Sequence, residues 1–319
     1  MKPVLCFGDI CADLIIPYGN ALRVKAGEQI PTAALEVEAS HGGSVGNTTA
    51  GVVKLGVPAM FCGAAGDDRY GHMLKDGLDA LGVDTSLMRL SREIATLLVI
   101  LVIDKTGDRV AFACPPRNAS QHAILESQIP RDITERIGWM HSTGMTLRED
   151  PAASVQLKLM KRCRDEGIPV SLDVNARIEA IGDPFFYRNL IEAKQYCSVI
   201  LGSANDEITL LAEEPDPEAA AQKLAANGTV VIARYGERGA AIYHDGVRDE
   251  CPVFSVPVVD AVGAGDAYDA CYIASRMLGD SEAVANRNAC AAGAICVSRK
   301  SGRAGPTTAE LAAFLKTRN

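Results

Sequence analysis

Several classes of protein are excluded by what the sequence lacks. The most apolar run, residues 97–103, is far shorter than the ~20 residues that cross a bilayer as a helix. Asp9 and Asp13 interrupt the apolar stretch at the N-terminus that a signal peptide would need. The net charge of -8 at pH 7 leaves no basic excess to neutralise nucleic-acid phosphates. We therefore expect a cytoplasmic protein that binds neither membranes nor nucleic acid.

The 10 cysteines lack the spacing of a metal site or of a disulfide framework. The sequence contains no Cys-x-x-Cys pair, and no histidine accompanies a cysteine at zinc-finger spacing. Several cysteines, such as Cys290 and Cys296, lie in Ala-rich sequence of helical character. We expect reduced, buried thiols.

Short β-branched runs alternate with longer stretches that carry apolar residues at helical spacing. This alternation predicts an α/β fold with a mostly parallel central sheet covered by helices. The predicted strands are residues 4–7, 59–63, 169–174, 198–201 and 229–233. The predicted helices are residues 44–55, 70–81, 152–164, 218–226, 265–278 and 282–298, with a last helix opened by a capping box at 307–310. Because no repeat or linker divides the sequence, we predict a single domain over residues 1–319.

Two segments depart from this alternation. Residues 95–103 are β-prone and almost wholly apolar, 104–108 are turn-like, and 109–114 resume an extended pattern. Residues 11–41 also lack clear helical periodicity. We predict that insertions at about 11–41 and 94–118 form a small β-sheet lid. Since an exposed apolar strand is a liability, the lid is also predicted to pair two subunits in a homodimer.

The most informative segment is Val-Asp-Ala-Val-Gly-Ala-Gly-Asp-Ala-Tyr at residues 259–268, which precedes an Ala-rich helix. Small residues here allow consecutive backbone N–H groups to gather at a helix N-terminus and bind a phosphate. Asp266 then lies where a carboxylate can face a hydroxyl beside that phosphate. Taken alone, the segment also fits an ordinary glycine turn. It is neither a dinucleotide fingerprint, because Tyr268 stands where the third glycine would be, nor a Walker loop, which would end in Gly-Lys-Ser/Thr.

The same segment resembles the C-terminal signature of the ribokinase, or PfkB, family of carbohydrate kinases. His-Gly-Gly-Ser-Val-Gly-Asn at residues 41–47 resembles the family's Gly-Gly-x-x-x-Asn segment. Gly-Ala-Ala-Gly-Asp-Asp-x-x-Gly at residues 63–71 resembles the continuation of that signature. The motifs keep the family's order and spacing over essentially the whole chain. The resemblance implies a ribokinase-like fold and transfer of the γ-phosphoryl group of ATP to a sugar hydroxyl.

The resemblance also implies a role for individual residues. It makes Asp266 the base that takes the hydroxyl proton, beside phosphate-binding backbone at Gly263, Ala264 and Gly265. The sugar would be bound by Asp13, Gly42, Gly43 and Asn47. Carboxylate and amide groups suit this task because they hydrogen-bond to hydroxyls.

The nucleotide and metal sites follow from the same resemblance. Gly236 and Gly239, in a segment that resembles the family's nucleotide loop, would contact the ATP phosphates, and Asn288 and Ala292 would neighbour the adenine base. The family's Asn-x-x-Glu motif for Mg²⁺ is altered here. Glu207 is the best-aligned acid, but Ala204 stands at the Asn position, which puts the metal shell in doubt. Some relatives also need a monovalent cation such as K⁺.

Two arginines bear on the identity of the substrate. Segments near Arg117 and Arg177 look similar to those of 2-keto-3-deoxygluconate kinases and fructokinases, and a guanidinium there would bind an anionic group of a sugar acid. Both residues equally suit structural ion pairs. A nucleoside kinase of the same fold and a non-catalytic sugar-binding protein remain as alternatives. An NAD-dependent oxidoreductase fits the α/β pattern but lacks the fingerprint.

Overall fold

The computed structural model of the chain describes residues 1–18, 37–104, 109–114, 119–176 and 182–318. Within these residues the strands are β1 (Val4–Phe7), β2 (Cys11–Tyr18), β3 (Glu38–Gly42), β4 (Ala59–Gly66), β5 (Asp84–Ser91), β6 (Leu97–Asp104), β7 (Arg109–Cys114), β8 (Trp139–Thr143), β9 (Val170–Asp173), β10 (Val199–Ser203), β11 (Val230–Arg234), β12 (Ala240–His244) and β13 (Val247–Cys251). The helices are α1 (Ser44–Lys54), α2 (Arg69–Asp79), α3 (Ile133–Arg136), α4 (Ala152–Asp165), α5 (Pro184–Ala193), α6 (Thr209–Ala212), α7 (Pro217–Ala225), α8 (Ala264–Met277), α9 (Glu282–Val297) and α10 (Thr308–Lys316).

The described strands form two sheets. The central sheet has the order β13-β12-β11-β10-β9-β8-β1-β4-β5. Its neighbouring strands are parallel except in the pairs β11–β12 and β12–β13, which are antiparallel. The second sheet has the order β3-β2-β6-β7. The predicted mostly parallel sheet is confirmed, and the small sheet falls within the predicted lid segments.

Both faces of the central sheet are buried. Leu5 and Phe7 pack into one hydrophobic cluster, whereas Val4 and Cys6 of the same strand pack into the other. Successive strand residues point to opposite faces, so burial of all four requires helices on both sides of the sheet. This explains why β1 reads as a continuous apolar run in the sequence.

The elements that were predicted have boundaries that agree with the predictions to within a few residues. Pro151 is the N-cap residue of α4, and Asp150 before it accepts a hydrogen bond from the backbone N–H of Ser154, at 3.0 Å. Strand β8 has no counterpart among the predicted strands, although it lies in the middle of the sheet.

The carboxyl ends of the parallel strands gather the chemistry at one edge of the central sheet. Asp173 ends β9, Ser203 ends β10 and Arg234 ends β11. The lid sheet leaves the same edge, because β2 begins soon after β1 and β3 leads through Gly43 into α1. Ligands in open α/β sheets commonly bind in the crevice beyond this edge.

None of the helices in the described part of the chain has the length and apolar character needed to cross a bilayer. The 9 cysteines whose side chains are described are all buried and unbridged. For those residues the prediction of reduced, buried thiols is confirmed.

Candidate active site

Asp266 lies in the first turn of α8, where the chain turns into the helix at Gly263 with φ 80°. A Cβ at Gly263 would overlap the carbonyl oxygen of Gly302, so glycine is required both for the positive φ and for the contact. Asp266 Oδ1 accepts a hydrogen bond from Ser44 Oγ at 2.7 Å, and Oδ2 accepts one from Asn47 Nδ2 at 2.8 Å. The two signature segments therefore meet at one carboxylate.

The surroundings of Asp266 make it a weaker acid than usual. Burial is the main cause that raises the pKa of its carboxyl to about 7; the charges of Asp173 and Asp9 also act to raise it, whereas the hydrogen bonds from Ser44 and Asn47 act to lower it. A general base works best when its pKa lies near the working pH. Asp266 is therefore suited to accept a proton from a hydroxyl.

The N-terminus of α8 leaves backbone donors beside Asp266. The first N–H groups of a helix have no partner within it. The N–H of Ala264 makes a long 3.4 Å hydrogen bond to the carbonyl oxygen of Ala261. The positively polarised helix end and its small side chains suit a phosphate.

Gly42, one of the residues predicted to bind sugar, lies against Asp13, which is another. A Cβ at Gly42 would lie 2.5 Å from both carboxylate oxygens of Asp13, and a Cβ at Gly43 would lie 2.5 Å from Ile10 Cα. Burial raises the pKa of Asp13, whose Oδ1 accepts a 3.4 Å hydrogen bond from Cys11 Sγ. The absence of a side chain at Gly42 therefore keeps its backbone close to Asp13, and the absence of one at Gly43 lets it pack against the backbone of Ile10.

Asp13, Gly42 and Gly43 are called the glycine cradle below. Asn47, the fourth predicted sugar ligand, joins this cradle to Asp266. Its amide nitrogen is occupied by Asp266 Oδ2, whereas its Oδ1 is buried and accepts no hydrogen bond from the described residues. A buried acceptor without a partner is costly. Asn47 therefore has one oxygen left for a hydroxyl of a ligand.

A cavity of about 350 Å³ lies on the other side of the α8 N-terminus. The predicted nucleotide residues Gly236 and Gly239 line it, as do Ala264 and Gly265. Its remaining lining residues are Ser203, Arg234, Ala240, Val253, Tyr268, Cys290, Gly293, Ala294 and Val297. The lining is mostly apolar, which suits the flat face of a nucleobase.

Asn288 and Ala292, which are predicted to neighbour the base, do not line this cavity, and their role stays a prediction. Asn288 Nδ2 instead donates to Ser275 Oγ at 3.0 Å and to Asp280 Oδ2 at 3.4 Å. Ala292 is fully buried in the core. Cys290 and Gly293 lie on the face of α9 that does line the cavity.

Motif reasoning missed Arg234, a largely buried cation beside the predicted phosphate-binding turn. Arg234 Nη2 donates to Asp173 Oδ1 at 2.6 Å and Nη1 donates to Asp269 Oδ1 at 2.8 Å. A Cβ at Gly265 would lie 2.9 Å from Arg234 Nη1. Two signals stood in the sequence: Arg234 directly precedes the nucleotide loop, and Asp269 follows Asp266 by three residues, on the same side of the helix.

Glu207 lies at the edge of this group. Its Oε1 accepts the N–H of Ala176 at 2.8 Å and its Oε2 accepts the N–H of Ser203 at 2.6 Å, while Arg234 Nη2 is 3.9 Å away. Burial and the charge of Asp173 raise the pKa of Glu207 to about 7, and Arg234 acts against that rise.

The donor set fits Mg²⁺ only together with phosphate oxygens. The described residues include no group of three or more His, Cys, Asp or Glu side chains placed to hold a metal. Mg²⁺ commonly binds through one or two carboxylates together with substrate phosphates and water. Glu207 therefore fits an ion that arrives with a nucleotide.

The predicted anion-binding residues Arg117 and Arg177 lie outside the described residues. Their roles stay predictions. Asp173, which pairs with Arg234, lies a few residues before Arg177 in the chain.

Comparison with known proteins identifies the family. The sequence pattern of the pfkB family carbohydrate kinases matches residues 1–309. Fructokinase-2 from Oryza sativa subsp. japonica is 27% identical over 309 residues, which cover 93% of this chain and 88% of the relative. The ATP-dependent ribose-1-phosphate kinase from Halopiger xanaduensis is 29% identical over 285 residues, or 88% of each chain.

Solved structures share the fold at lower identity. The fructokinase from Xylella fastidiosa with bound ATP superposes with a TM-score of 0.85 at 22% identity and covers 100% of this chain and 99% of its own. Arabidopsis thaliana ribokinase with ribose and ATP gives a TM-score of 0.80 at 20% identity, with 99% of each chain covered. The signatures that meet at Asp266, the family match over most of the chain and the shared architecture lead to one conclusion: the chain belongs to the pfkB family of carbohydrate kinases.

Proposed function

We propose that the protein transfers the γ-phosphoryl group of ATP to a hydroxyl of a sugar or sugar acid, with Asp266 as the catalytic base. The observation that carries this proposal is the position of Asp266, which Ser44 and Asn47 hold between the glycine cradle of Asp13 and the N-terminus of α8. A solved relative, a ribokinase II candidate from E. coli, contains ATP and Mg²⁺.

In the proposed reaction the acceptor hydroxyl loses its proton to Asp266 as its oxygen bonds to the γ-phosphorus. The bond between that phosphorus and the bridging oxygen breaks, and ADP leaves with the electron pair. Phosphoryl transfer requires mainly alignment and charge stabilisation from the protein. The N-terminal N–H groups of α8 and Arg234, which lies against Gly265, would supply both.

The nucleotide would enter the cavity with its phosphates toward Gly263, Ala264 and Gly265 and near Gly236 and Gly239. When bound, Mg²⁺ neutralises charge on the phosphate oxygens. Glu207 is the residue that would hold it, through water. A requirement for K⁺, which the family resemblance suggests, stays a prediction.

A screen for ADP release with sugars, sugar acids and nucleosides tests the proposal. We expect ADP to appear in proportion to one class of acceptor, and a calorimetric titration to give binding of ATP and not of NAD. Acceptor-independent ADP release at the same rate with every compound would contradict it. Sugar binding without any ADP release would favour the non-catalytic sugar-binding alternative, and release with nucleosides alone would favour the nucleoside kinase.

The homodimer through the lid is a separate proposal. Strand β7 lies at the edge of the lid sheet, and Val110 and Phe112 on it are 40% and 52% exposed. Exposed apolar edge strands tend to pair with other chains. A single mass of twice 33.7 kDa by light scattering is expected, with Phe112→Lys as the variant that shifts it toward the monomer. A monomeric wild type at working concentration would contradict the proposal.

A further inference from the structure

Arg303, in the loop between α9 and α10, has two buried guanidinium nitrogens that lack a hydrogen-bond partner among the described residues. Its Nε and Nη2 atoms are shielded from solvent and donate to no acceptor in the described part of the chain. The loop itself is held firmly. The backbone N–H of Arg303 donates to Ser301 Oγ at 3.2 Å, and its carbonyl oxygen accepts a hydrogen bond from Lys54 Nζ at 2.6 Å.

The backbone of this loop is strained at Ser301, two residues before Arg303. Ser301 has φ 107°, a conformation that side chains other than glycine rarely adopt. Such strain persists only where the surrounding structure enforces it, and it concentrates at ligand sites.

The guanidinium of Arg303 lies beside the sugar cradle. A Cβ at Gly46 would lie 3.2 Å from Arg303 Nη2, and a Cβ at Gly302 would lie 2.9 Å from Asn47 Nδ2. The consecutive residues Gly302 and Arg303 therefore face the consecutive residues Gly46 and Asn47. Arg303 also interacts electrostatically with Asp13, and together with burial it lowers the pKa of His41.

Two complementary groups at this point lack hydrogen-bond partners within the part of the chain that the structure describes. Asn47 Oδ1 is a buried acceptor, and Arg303 Nε and Nη2 are buried donors, yet they do not bond to each other. A ligand that satisfies both must donate a hydroxyl to Asn47 and offer oxygens to Arg303. The Nε and Nη2 edge of a guanidinium presents two parallel N–H groups, which match the two oxygens of a carboxylate or phosphate.

The local charges agree with this geometry. The pKa of Arg303 is lowered to about 10, mainly by burial, even though Cys11 and Asp13 act to raise it. The nearby acid therefore does not compensate for the loss of water around the guanidinium. Arg234 shows the contrast, because two carboxylates bond to it directly.

We propose that Arg303 binds an oxyanion of the acceptor through its Nε and Nη2 edge, so that the acceptor is a sugar carrying a carboxylate or a phosphate. Hydroxyls of the same molecule bind Asp13 and Asn47, and one of them faces Asp266. The inference rests on the proposed kinase function and narrows its substrate class.

The test compares acidic and neutral acceptors that share a carbon skeleton. D-Gluconate is paired with D-glucitol, and D-fructose 6-phosphate with D-fructose, which separates a carboxylate from a phosphate. The wild type is compared with Arg303→Gln, Arg303→Lys and the matched control Arg136→Gln on exposed α3. For Arg303→Gln we expect a loss of about ten- to a hundredfold in kcat/KM on the acidic partner of one pair, with the neutral partner changed less than about threefold.

Equal losses on the acidic and neutral partners, or no loss on either acid, would overturn the assignment of an oxyanion to Arg303. Partial rescue by Arg303→Lys on the acid alone would support it. Stability gives an independent readout through Arg303→Met, which removes an unpaired buried charge. An unchanged or higher Tm supports a ligand-binding role, whereas a clear fall in Tm would show a structural role and overturn it.

Calorimetric binding of the acids without ATP keeps this inference separable from the kinase proposal. Acid binding that is lost in Arg303→Gln while no acceptor stimulates ADP release would support the Arg303 site and contradict the kinase. The opposite result would be ADP release with neutral sugars at a rate that Arg303→Gln leaves unchanged, without binding of either acid. That result would support the kinase and contradict the Arg303 site.

Discussion

An arginine lies on each side of Asp266, and the two arginines differ in whether their guanidinium groups have hydrogen-bond partners. On the nucleotide side, Arg234 is bonded to Asp173 and Asp269 at 2.6 and 2.8 Å. On the acceptor side, the Nε and Nη2 atoms of Arg303 lack a partner among the described residues. A buried charge is costly unless another group pairs with it. Arg234 is paired by groups of the protein itself, whereas the buried nitrogens of Arg303 would be paired by a ligand. In the proposed reaction, the nucleotide side is therefore assembled in advance, and the acceptor side is completed by its substrate.

Asp266→Asn removes the base that joins the two sides and is expected to have the largest effect. The amide keeps the size of the side chain but cannot take a proton, so kcat should fall by about 10²–10⁴-fold. The wild-type fold should persist by circular dichroism. The exposed Asp76→Asn is the matched control and should keep full activity. A near-normal kcat in Asp266→Asn would disprove the assignment of the base.

The same substitution at the two arginines tests the comparison directly. Arg234→Met leaves Asp173 and Asp269 buried without their cation, so the free energy of unfolding should fall by about 3–5 kcal/mol. Arg303→Met removes a charge that no described acceptor pairs and should cost little. Urea denaturation of both variants measures the difference. Equal losses of stability would remove the distinction between the two sides.

The pH dependence of kcat/KM reports the protonation of Asp266. Because its pKa is raised to about 7, the carboxylate that must accept the proton predominates only above that pH. We expect kcat/KM to rise about tenfold per pH unit up to neutrality and then level. Glu207 also has a pKa of about 7, so the profile should be repeated with Glu207→Gln. Loss of the inflection in that variant would assign it to Glu207.

The raised pKa of Asp266 makes stability depend on pH in the opposite direction to activity. The unfolded carboxyl releases its proton near the ordinary value of 3.8, whereas the folded one retains it to about 7. The unfolded state thus binds fewer protons in this range. The contribution of Asp266 to the free energy of unfolding is present at low pH and is lost as the pH rises from about 4 to 7.

Two glycine substitutions should each change the KM of only one substrate, with smaller effects than the substitutions above. Gly42→Ala places a methyl group 2.5 Å from both Asp13 oxygens, so the KM of the acceptor should rise about tenfold while that of ATP stays unchanged. Gly293→Ala narrows the nucleotide cavity and should raise only the KM of ATP. Steady-state kinetics with each substrate varied in turn measures both. A change in both KM values for either variant would show that the sides are not independent.

The sequence did not show which face of α9 lines the cavity. Cys290, Gly293, Ala294 and Val297 follow the i, i+3, i+4, i+7 spacing of one helix face, and they line the cavity. Asn288 and Ala292 each lie two residues from Cys290, about 200° around the helix, and so face away. The family resemblance pointed to this helix, but small residues on all its faces gave no sign of which face meets the cavity.

Arg303 escaped prediction for a different reason. It belongs to no motif, and its surroundings at Asp13, Gly46 and Asn47 lie more than 250 residues earlier in the chain. A sequence shows that an arginine is present but not that it is buried and unpaired. That property arises only when distant segments close around the side chain.

The sequence by itself determined the α/β alternation, the glycine turn into a helix at residues 263–266 and the residue types at the glycine cradle. These follow from local rules of backbone freedom, hydrophobic period and helix ends, which act over a few residues. Only the tertiary structure decided that Ser44 and Asn47 hold Asp266, that two carboxylates pair with Arg234, and that Nε and Nη2 of Arg303 have no hydrogen-bond partner in the described part of the chain. Burial and hydrogen bonding between segments far apart in the chain set those outcomes, because they depend on which groups folding brings out of water together.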